Sequence, residues 1–281
     1  MRFGIFDKFG AKNSVPVFSA FCQALQHRGL PYCQHDTEAD VAVIWSTVWA
    51  GRMKRNLEIW NQFRGTGRAV IVLEVGMLQR GVTWKVGING TGQGSYPVTE
   101  LDADRPRRLG MILDPWRQNG RDIVIFVQRS DSEQWRGQPA TDRWLADKVD
   151  RIRQHSDRPI VVRAHPRQSV VIPAGCRQDT ARKIPGTYDS FDFDRAISNA
   201  WACVNHNSGP GSQSIIRGIP AFVDSSSLAA PVGNRDLANI ENPILPERDE
   251  WLVRLCHTEW SIDEIAQSKP LQHLLPSLQS L

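Results

Sequence analysis

A short apolar run, Ala202-Cys203-Val204, leads into the loop Asn205-His206-Asn207-Ser208-Gly209-Pro210-Gly211. Ser212-Gln213-Ser214-Ile215-Ile216-Arg217 follows with helical character, and Gly218 stands where a helix would end. A Gly/Ser loop between a buried strand and a helix turns backbone N–H groups outward, with the positive end of the helix dipole behind them, and such a place suits a phosphate. No Lys follows the glycines and their spacing is not that of a dinucleotide fingerprint, so the loop is neither a Walker loop nor a dinucleotide site. The plain alternative is a tight turn that needs only glycine's backbone freedom. About forty residues upstream, Arg163-Ala164-His165-Pro166-Arg167 follows the apolar run Ile160-Val161-Val162 directly. That is the carboxyl end of a strand, where open α/β sheets bind ligands. The arginines can pair a pyrophosphate bidentately, and His165 can donate to an oxygen of a leaving group. Gln128 and Arg129 end another such strand and join the phosphate-binding set.

A carboxylate at the carboxyl end of a strand can also act as a general base and take a proton from a hydroxyl bound beside it. Glu74, at the end of Val70-Ile71-Val72-Leu73, and Asp7, at the end of the first strand, are the carboxylates placed for that step. Glu74 ranks first because Val75-Gly76 leaves room for a ligand. Either residue can instead cap a helix or pair with a surface arginine. Asp192-Phe193-Asp194 and Asp102-Ala103-Asp104 match a metal-clamping Asp-x-Asp. The first opens a helix and the second sits in a linker, so neither follows the buried strand such a clamp requires, and no metal is expected. His206 beside Ser208 lacks a Gly-x-Ser-x-Gly elbow, which argues against a serine hydrolase.

The stretch Asn207-Ser208-x-x-Gly211-Ser212-x-x-Ile215-Ile216-x-Gly218-x-Pro220 resembles the donor-site signature of GT-B glycosyltransferases, and most closely that of the capsule-polysaccharide (Kdo-transferase-like) group. The pair His165-Pro166 is similar to that group's pattern near the nucleotide phosphates. The resemblance implies a glycosyltransferase whose donor is held by Gln128, Arg129, Arg163, His165, Asn207, Ser208, Gly209, Gly211, Ser212 and Gln213. A UDP-sugar is the favoured donor, and no cofactor is needed. It covers the second half of the chain. Where the group usually carries Glu-Ala, this chain has Gln213-Ser214, so a charge-assisted bond to a ribose is lost and the nucleotide stays open.

Elements must position these groups. Strand–helix–strand alternation recurs twice. The first series runs through residues 2–6, a helix over Val15–Arg28, a strand over Asp40–Trp45, a helix over Lys54–Gly65 and a strand over Ala69–Glu74. The second runs through strands at Ile123–Gln128 and Arg158–Arg163, a helix from Thr141 to about His155, a possible strand at Val170-Val171-Ile172, a helix over Asp192–Ala200 and a strand over Pro220–Asp224. The pattern predicts an α/β protein with two Rossmann-like βαβ domains facing a cleft, the GT-B arrangement. The N-terminal acceptor-side domain spans 1–113, and the C-terminal donor domain, with closing helices, spans 114–281. Asp102–Arg108 reads as a linker or lid border.

The chain's 281 residues, 41% hydrophobic and 23% charged, suit a globular protein, and no apolar run approaches a membrane span. Five scattered cysteines without a Cys-x-x-Cys pair argue against a disulfide framework or a zinc site and for a reducing cytoplasm, a host's if the chain is phage-encoded. The net charge of +4 permits a polyanionic partner. Arg52, Lys54 and Arg55, with Arg64, Arg68, Lys85 and the tryptophans Trp45, Trp49 and Trp60, suit a polyanion with stackable bases. In this respect the chain is similar to bacteriophage DNA-glycosylating enzymes, which implies a hydroxymethylated base in DNA as first acceptor and a capsule or cell-surface glycan as second. A non-catalytic nucleotide- or nucleic-acid-binding module is the reading of another class, favoured by Gln213.

Overall fold

The computed structural model of the chain describes residues 1–187 and 189–280. The chain divides into two compact units. Met1–Leu109, Asp131–Gln134 and Val253–Leu281 form the first, and Gly110–Ser130 with Trp135–Leu252 form the second.

The first unit opens with β1 (Phe3–Ile5), α1 (Val15–His27), β2 (Tyr32–Gln34), β3 (Val41–Trp45), α2 (Asn56–Gly65), β4 (Ala69–Val75), β5 (Thr83–Ile88) and the single turn α3 (Arg105–Arg108). The strand order runs β5-β4-β3-β1-β2, parallel throughout except for β5. Every residue of β3 is buried, as a central strand covered on both faces requires. α1 buries Val17, Phe18, Phe21 and Leu25, at helical spacing, against that sheet. Pro16 lies in its first turn, where a missing N–H costs nothing, and Gly29 stops it at φ 63°.

The second unit holds β6 (Asp122–Val127), α4 (Thr141–Arg153), β7 (Ile160–Ala164), β8 (Cys176–Gln178), α5 (Phe193–Ala196), β9 (Ala200–Asn205), α6 (Gly209–Ile216) and β10 (Ala221–Phe222). Its five strands are all parallel, in the order β10-β9-β6-β7-β8. The chain winds outward from β6 through β7 to β8, then returns to place β9 on the other side of β6. The strand order therefore switches at β6, and the crevice at such a switch is where ligands bind. On one face α4 packs Trp144, Leu145, Val149 and Ile152 onto Ile123, Ile125, Val162 and Val204. Gly218, at φ 69°, ends α6 so close to the Pro115 backbone that a Cβ there would collide with it.

The helix α7 (Asp249–Cys256) leads into β11 (Glu259–Ser261), α8 (Ile262–Ala266) and α9 (Lys269–Gln279). β11 pairs antiparallel with β5 through Glu259↔Lys85 and Trp260↔Trp84. Ser261 and Glu264 form a reciprocal capping box that starts α8. Leu271, Leu274 and Leu278 of α9 join the core beneath α1.

Four sequence expectations are corrected. The closing segment from 253 onward folds with the first unit, because β11 completes that unit's sheet, whereas the expected boundary at 113 falls near the observed division after Leu109. Asp102–Arg108 is not a linker: buried Arg105 of α3 donates to the Cys256 and Glu259 carbonyls, pairs with Glu264 and stacks over Trp260 at 4.0 Å. Val170–Ile172 forms no strand, since Pro173 follows and the Val171 N–H donates to the Asp142 carboxylate at 2.8 Å instead. The helix expected over Asp192–Ala200 is one turn, Phe193–Ala196, because Ala200 already begins β9.

Candidate functional site

The carboxyl ends of β7, β6 and β9 lie side by side in the second sheet, and the sequence-predicted phosphate-binding residues cluster there. The His165 N–H donates to the Val127 carbonyl at 2.8 Å, which ties the loop after β7 to the end of β6. The Gln128 amide donates to Asn207 Oδ1 at 2.8 Å and accepts the Asn207 N–H at 3.1 Å, which ties the loop after β6 to the loop after β9. Asn207 Nδ2 then donates to Ser226 Oγ, and Ser226 Oγ donates to Asp224 Oδ1. The result is a directed chain of hydrogen bonds, Gln128–Asn207–Ser226–Asp224, across three loops. Burial alone would raise the Asp224 carboxyl, but the Ser226 bonds outweigh it and hold the group below the usual range.

His165 Nδ1 accepts the Arg167 N–H at 3.1 Å. In the neutral ring this places the proton on Nε2, so the imidazole is set as a donor at that atom. Ser208 is the extended N-cap of α6, and its Oγ accepts from Asn205 Nδ2 at 2.8 Å. Ser208, Gly209 and Gln213 are half-buried, on the accessible side of the loop. Gly211 is a packing glycine, where a Cβ would come within 3.0 Å of Val223 Cγ1 and 3.1 Å of Asn205 Oδ1. Ser212 is buried and turned inward. Arg129 is half-buried, immediately after Gln128.

Arg163 does not offer its guanidinium to a phosphate. It is 5% exposed, with one terminal nitrogen on Asp179 and the other on Asp192 at 2.6 Å. Arg195 bonds the same two carboxylates and closes a four-membered ionic ring. Burial would raise the Asp192 carboxyl, but the donors on it (Arg163, the Arg182 N–H and Arg195) hold it far below the usual range. Asp194 pairs with Arg217 at 3.0 Å, so both carboxylates of this Asp-x-Asp belong to arginines. Arg167 pairs with Asp189 at 3.5 Å.

In the first unit, Glu74, next to last in β4, is half-buried and accepts the Ser46 O–H at 2.7 Å. Burial pushes its carboxyl up, against the Ser46 bond and the nearby Lys85 ammonium. Asp7 follows β1, is exposed and faces His35 Nε2 at 3.5 Å. A cavity of about 470 Å³ brings Asp7, Lys8, Lys12 and Arg52 together. Arg52, Lys54 and Arg55 are all exposed on one short turn, with Arg55 on Glu58 at 3.2 Å. Of the other parts of the expected polyanion surface, Arg64 is exposed and Trp49 half-buried, and the rest are structural. Trp45, Trp60 and Lys85 are buried, and Arg68 donates to the Thr37 and Ala39 carbonyls while lying 4.1 Å over the Phe63 ring.

Sequence reasoning missed Ser226, Asn205 and Ser46. The run Asp224-Ser225-Ser226-Ser227 after a strand was the available signal for the first. Asn205 is 2% exposed and its Oδ1 meets no partner among the described residues, a property no sequence pattern shows. Among the described residues no helix is long and apolar enough to cross a membrane.

No family model and no curated protein matches the chain. Among solved structures, the chain is similar to KpsC, beta Kdo 2,4 transferase, from Thermosulfurimonas dismutans, with a TM-score of 0.50 at 11% identity over 95% of this chain and 98% of that one. KpsC, beta Kdo 2,7 transferase, from the same organism gives a TM-score of 0.46 at 15% identity over 97% and 100%. At that identity the first likeness establishes a shared α/β fold.

Proposed function

We propose that the protein is a glycosyltransferase that moves a sugar from a nucleotide-sugar donor to a hydroxyl of a glycan. The observation that carries this reading is the set of donors at the ends of three adjacent parallel strands: His165 with its proton on Nε2, the Ser208 hydroxyl, and the N-terminus of α6. Negative charge develops on the leaving phosphate oxygens as the bond to the sugar breaks, and such donors stabilise it in place. The fold shared with a beta Kdo transferase supports the same class. In this reading Gln128 and Asn207 position the loop, and Arg163 holds the segment beneath it. Glu74, whose carboxyl is raised, takes the acceptor proton; the acceptor oxygen forms the new bond to the anomeric carbon as the nucleotide leaves with the old bonding pair. The burial of Trp45 and Trp60 leaves half-buried Trp49 alone of the expected base-stacking tryptophans and favours a glycan over DNA. DNA remains the second reading, on the strength of exposed Arg52, Lys54 and Arg55.

The test is a matrix of nucleotide-sugars, UDP-sugars first, against oligosaccharide acceptors and hydroxymethylated DNA, read by mass spectrometry. Addition of one sugar mass to an oligosaccharide is the expected result. Addition to DNA selects the second reading, and binding of nucleotide without transfer to any acceptor selects a non-catalytic module.

A further inference from the structure

We infer that the second unit carries, beside the loops after β9 and β10, a groove that binds an anionic oligosaccharide. A cavity of about 540 Å³ runs along α4, with Arg143, Asp147, Lys148 and Arg151 on one wall and Arg235 on the other. Arg143, Asp147 and Arg151 recur every four residues and so form one stripe of the helix, with the two arginines roughly 12 Å apart along its axis. Arg235 comes from beyond β10, more than eighty residues later in sequence. Val204, Phe222 and Leu237 give it an apolar floor, Asn205, His206 and Asp224 join it to the candidate site, and the volume is that of a small-ligand site.

The arginines of this groove differ from most others of the unit. Elsewhere in the unit Arg121, Arg158, Arg163, Arg177, Arg195 and Arg217 each meet a carboxylate. The guanidinium groups of Arg143, Arg151 and Arg235 have no hydrogen bond or ion pair with any described residue, and all three are exposed to the groove. Lys148 meets Asp147 at 3.3 Å and Asp224 also lines the groove, so the three arginines and Lys148 outnumber the two carboxylates by two positive charges. Charges spread over such a length match an anionic chain with one carboxylate or phosphate per ring or two better than a single inorganic ion. Nucleic acid fits less well, because the aromatic residues of the groove, Trp144 and Phe222, are buried and offer no face to a base. The choice of a glycan over other polyanions rests on the glycosyltransferase reading; the groove itself does not.

The experiment titrates the protein with a size-defined oligogalacturonide, a neutral maltooligosaccharide of the same length and a single-stranded DNA oligonucleotide. The wild type and Arg143→Gln/Arg151→Gln/Arg235→Gln are compared at several salt concentrations, with thermal melting confirming that the variant is folded. The expected result is salt-sensitive binding of the oligogalacturonide alone, weakened about tenfold or more in the variant with a flatter salt dependence. No oligogalacturonide binding at low salt, equal binding by both proteins, or tighter binding of DNA that the variant loses would each overturn the inference. Nucleotide release from a donor without acceptor separates the two readings. If the variant loses oligosaccharide binding at wild-type release, the groove's arginines bind the oligosaccharide without taking part in donor activation. If the oligosaccharide binds but no nucleotide-sugar is ever consumed, the groove stands and the glycosyltransferase reading falls.

Discussion

Ser46 holds a left-handed backbone, φ 63°, while its hydroxyl donates to Glu74 and accepts the Val48 N–H at 3.1 Å. A non-glycine residue keeps that conformation only where its surroundings impose it, and such strain gathers at functional positions. If Glu74 is the base, kcat/KM should fall on the acid side with a limb above the ordinary value of 4.5, since burial raises the group. Ser46→Ala removes a bond that favours the carboxylate, so the limb should move to still higher pH. Glu74→Gln should lower turnover about 10²- to 10⁴-fold and abolish the limb; an unchanged pH profile in both variants would return Glu74 to a structural role. Arg163 allows the opposite test. Arg163→Met leaves Asp179 and Asp192 short of a buried partner and should cost about 3–5 kcal/mol in urea unfolding, while the donor KM of the folded fraction stays near wild type. A raised KM at unchanged stability would restore the phosphate-binding role read from sequence. The sequence showed an arginine at a strand end; it could not show that Asp179 and Asp192 lie on either side of it, because both are brought there by the fold.

The elements that carry the site were legible where period and punctuation agree. β3, β4, β6 and β9 are apolar runs, and α1 and α4 show helical spacing. β11 was not, because three residues, Glu259-Trp260-Ser261, are too few to show a period and its partner β5 lies far away in sequence. Its importance lies in Glu259, which is fully buried and accepts the Met77 and Leu78 N–H groups at 2.7 and 3.0 Å and the Thr83 hydroxyl. Beside it, burial lowers both His257 and His273, and each also feels Arg105. A histidine lowered in the folded state is protonated first in the unfolded chain, so stability is lost as pH falls below about 6.5. The melting temperature should therefore drop between about pH 7 and about pH 5, and less steeply in His273→Gln. Equal pH slopes for the two proteins would show that this cluster is not responsible.

For the molecule as a whole, the +4 balance is compatible with either a glycan or a nucleic-acid acceptor, and salt distinguishes them. A DNA acceptor predicts a steep loss of duplex binding with salt and a slope flattened by roughly one unit for each phosphate contact removed, as in Arg52→Ala/Arg55→Ala. The account expects no such duplex binding, because, of that surface's aromatic residues, Trp45 and Trp60 are in the core and only Trp49 is half-buried. The fold class could be read from the alternating elements, and so could the turn from strand to helix around Asn207–Gly211. What the loop's residues do individually could not, since Gly211 and Ser212 face inward while Ser208, Gly209 and Gln213 face out. The central claim is that the ends of β6, β7 and β9 activate a nucleotide leaving group. Single-turnover nucleotide release, measured for the wild type and His165→Ala on whichever nucleotide-sugar the matrix selects, tests it most directly. The account predicts release by the wild type and a loss of about a hundredfold in the variant, comparable to removing one oxyanion donor; an equal rate in both proteins, or no release from any nucleotide-sugar, would contradict it.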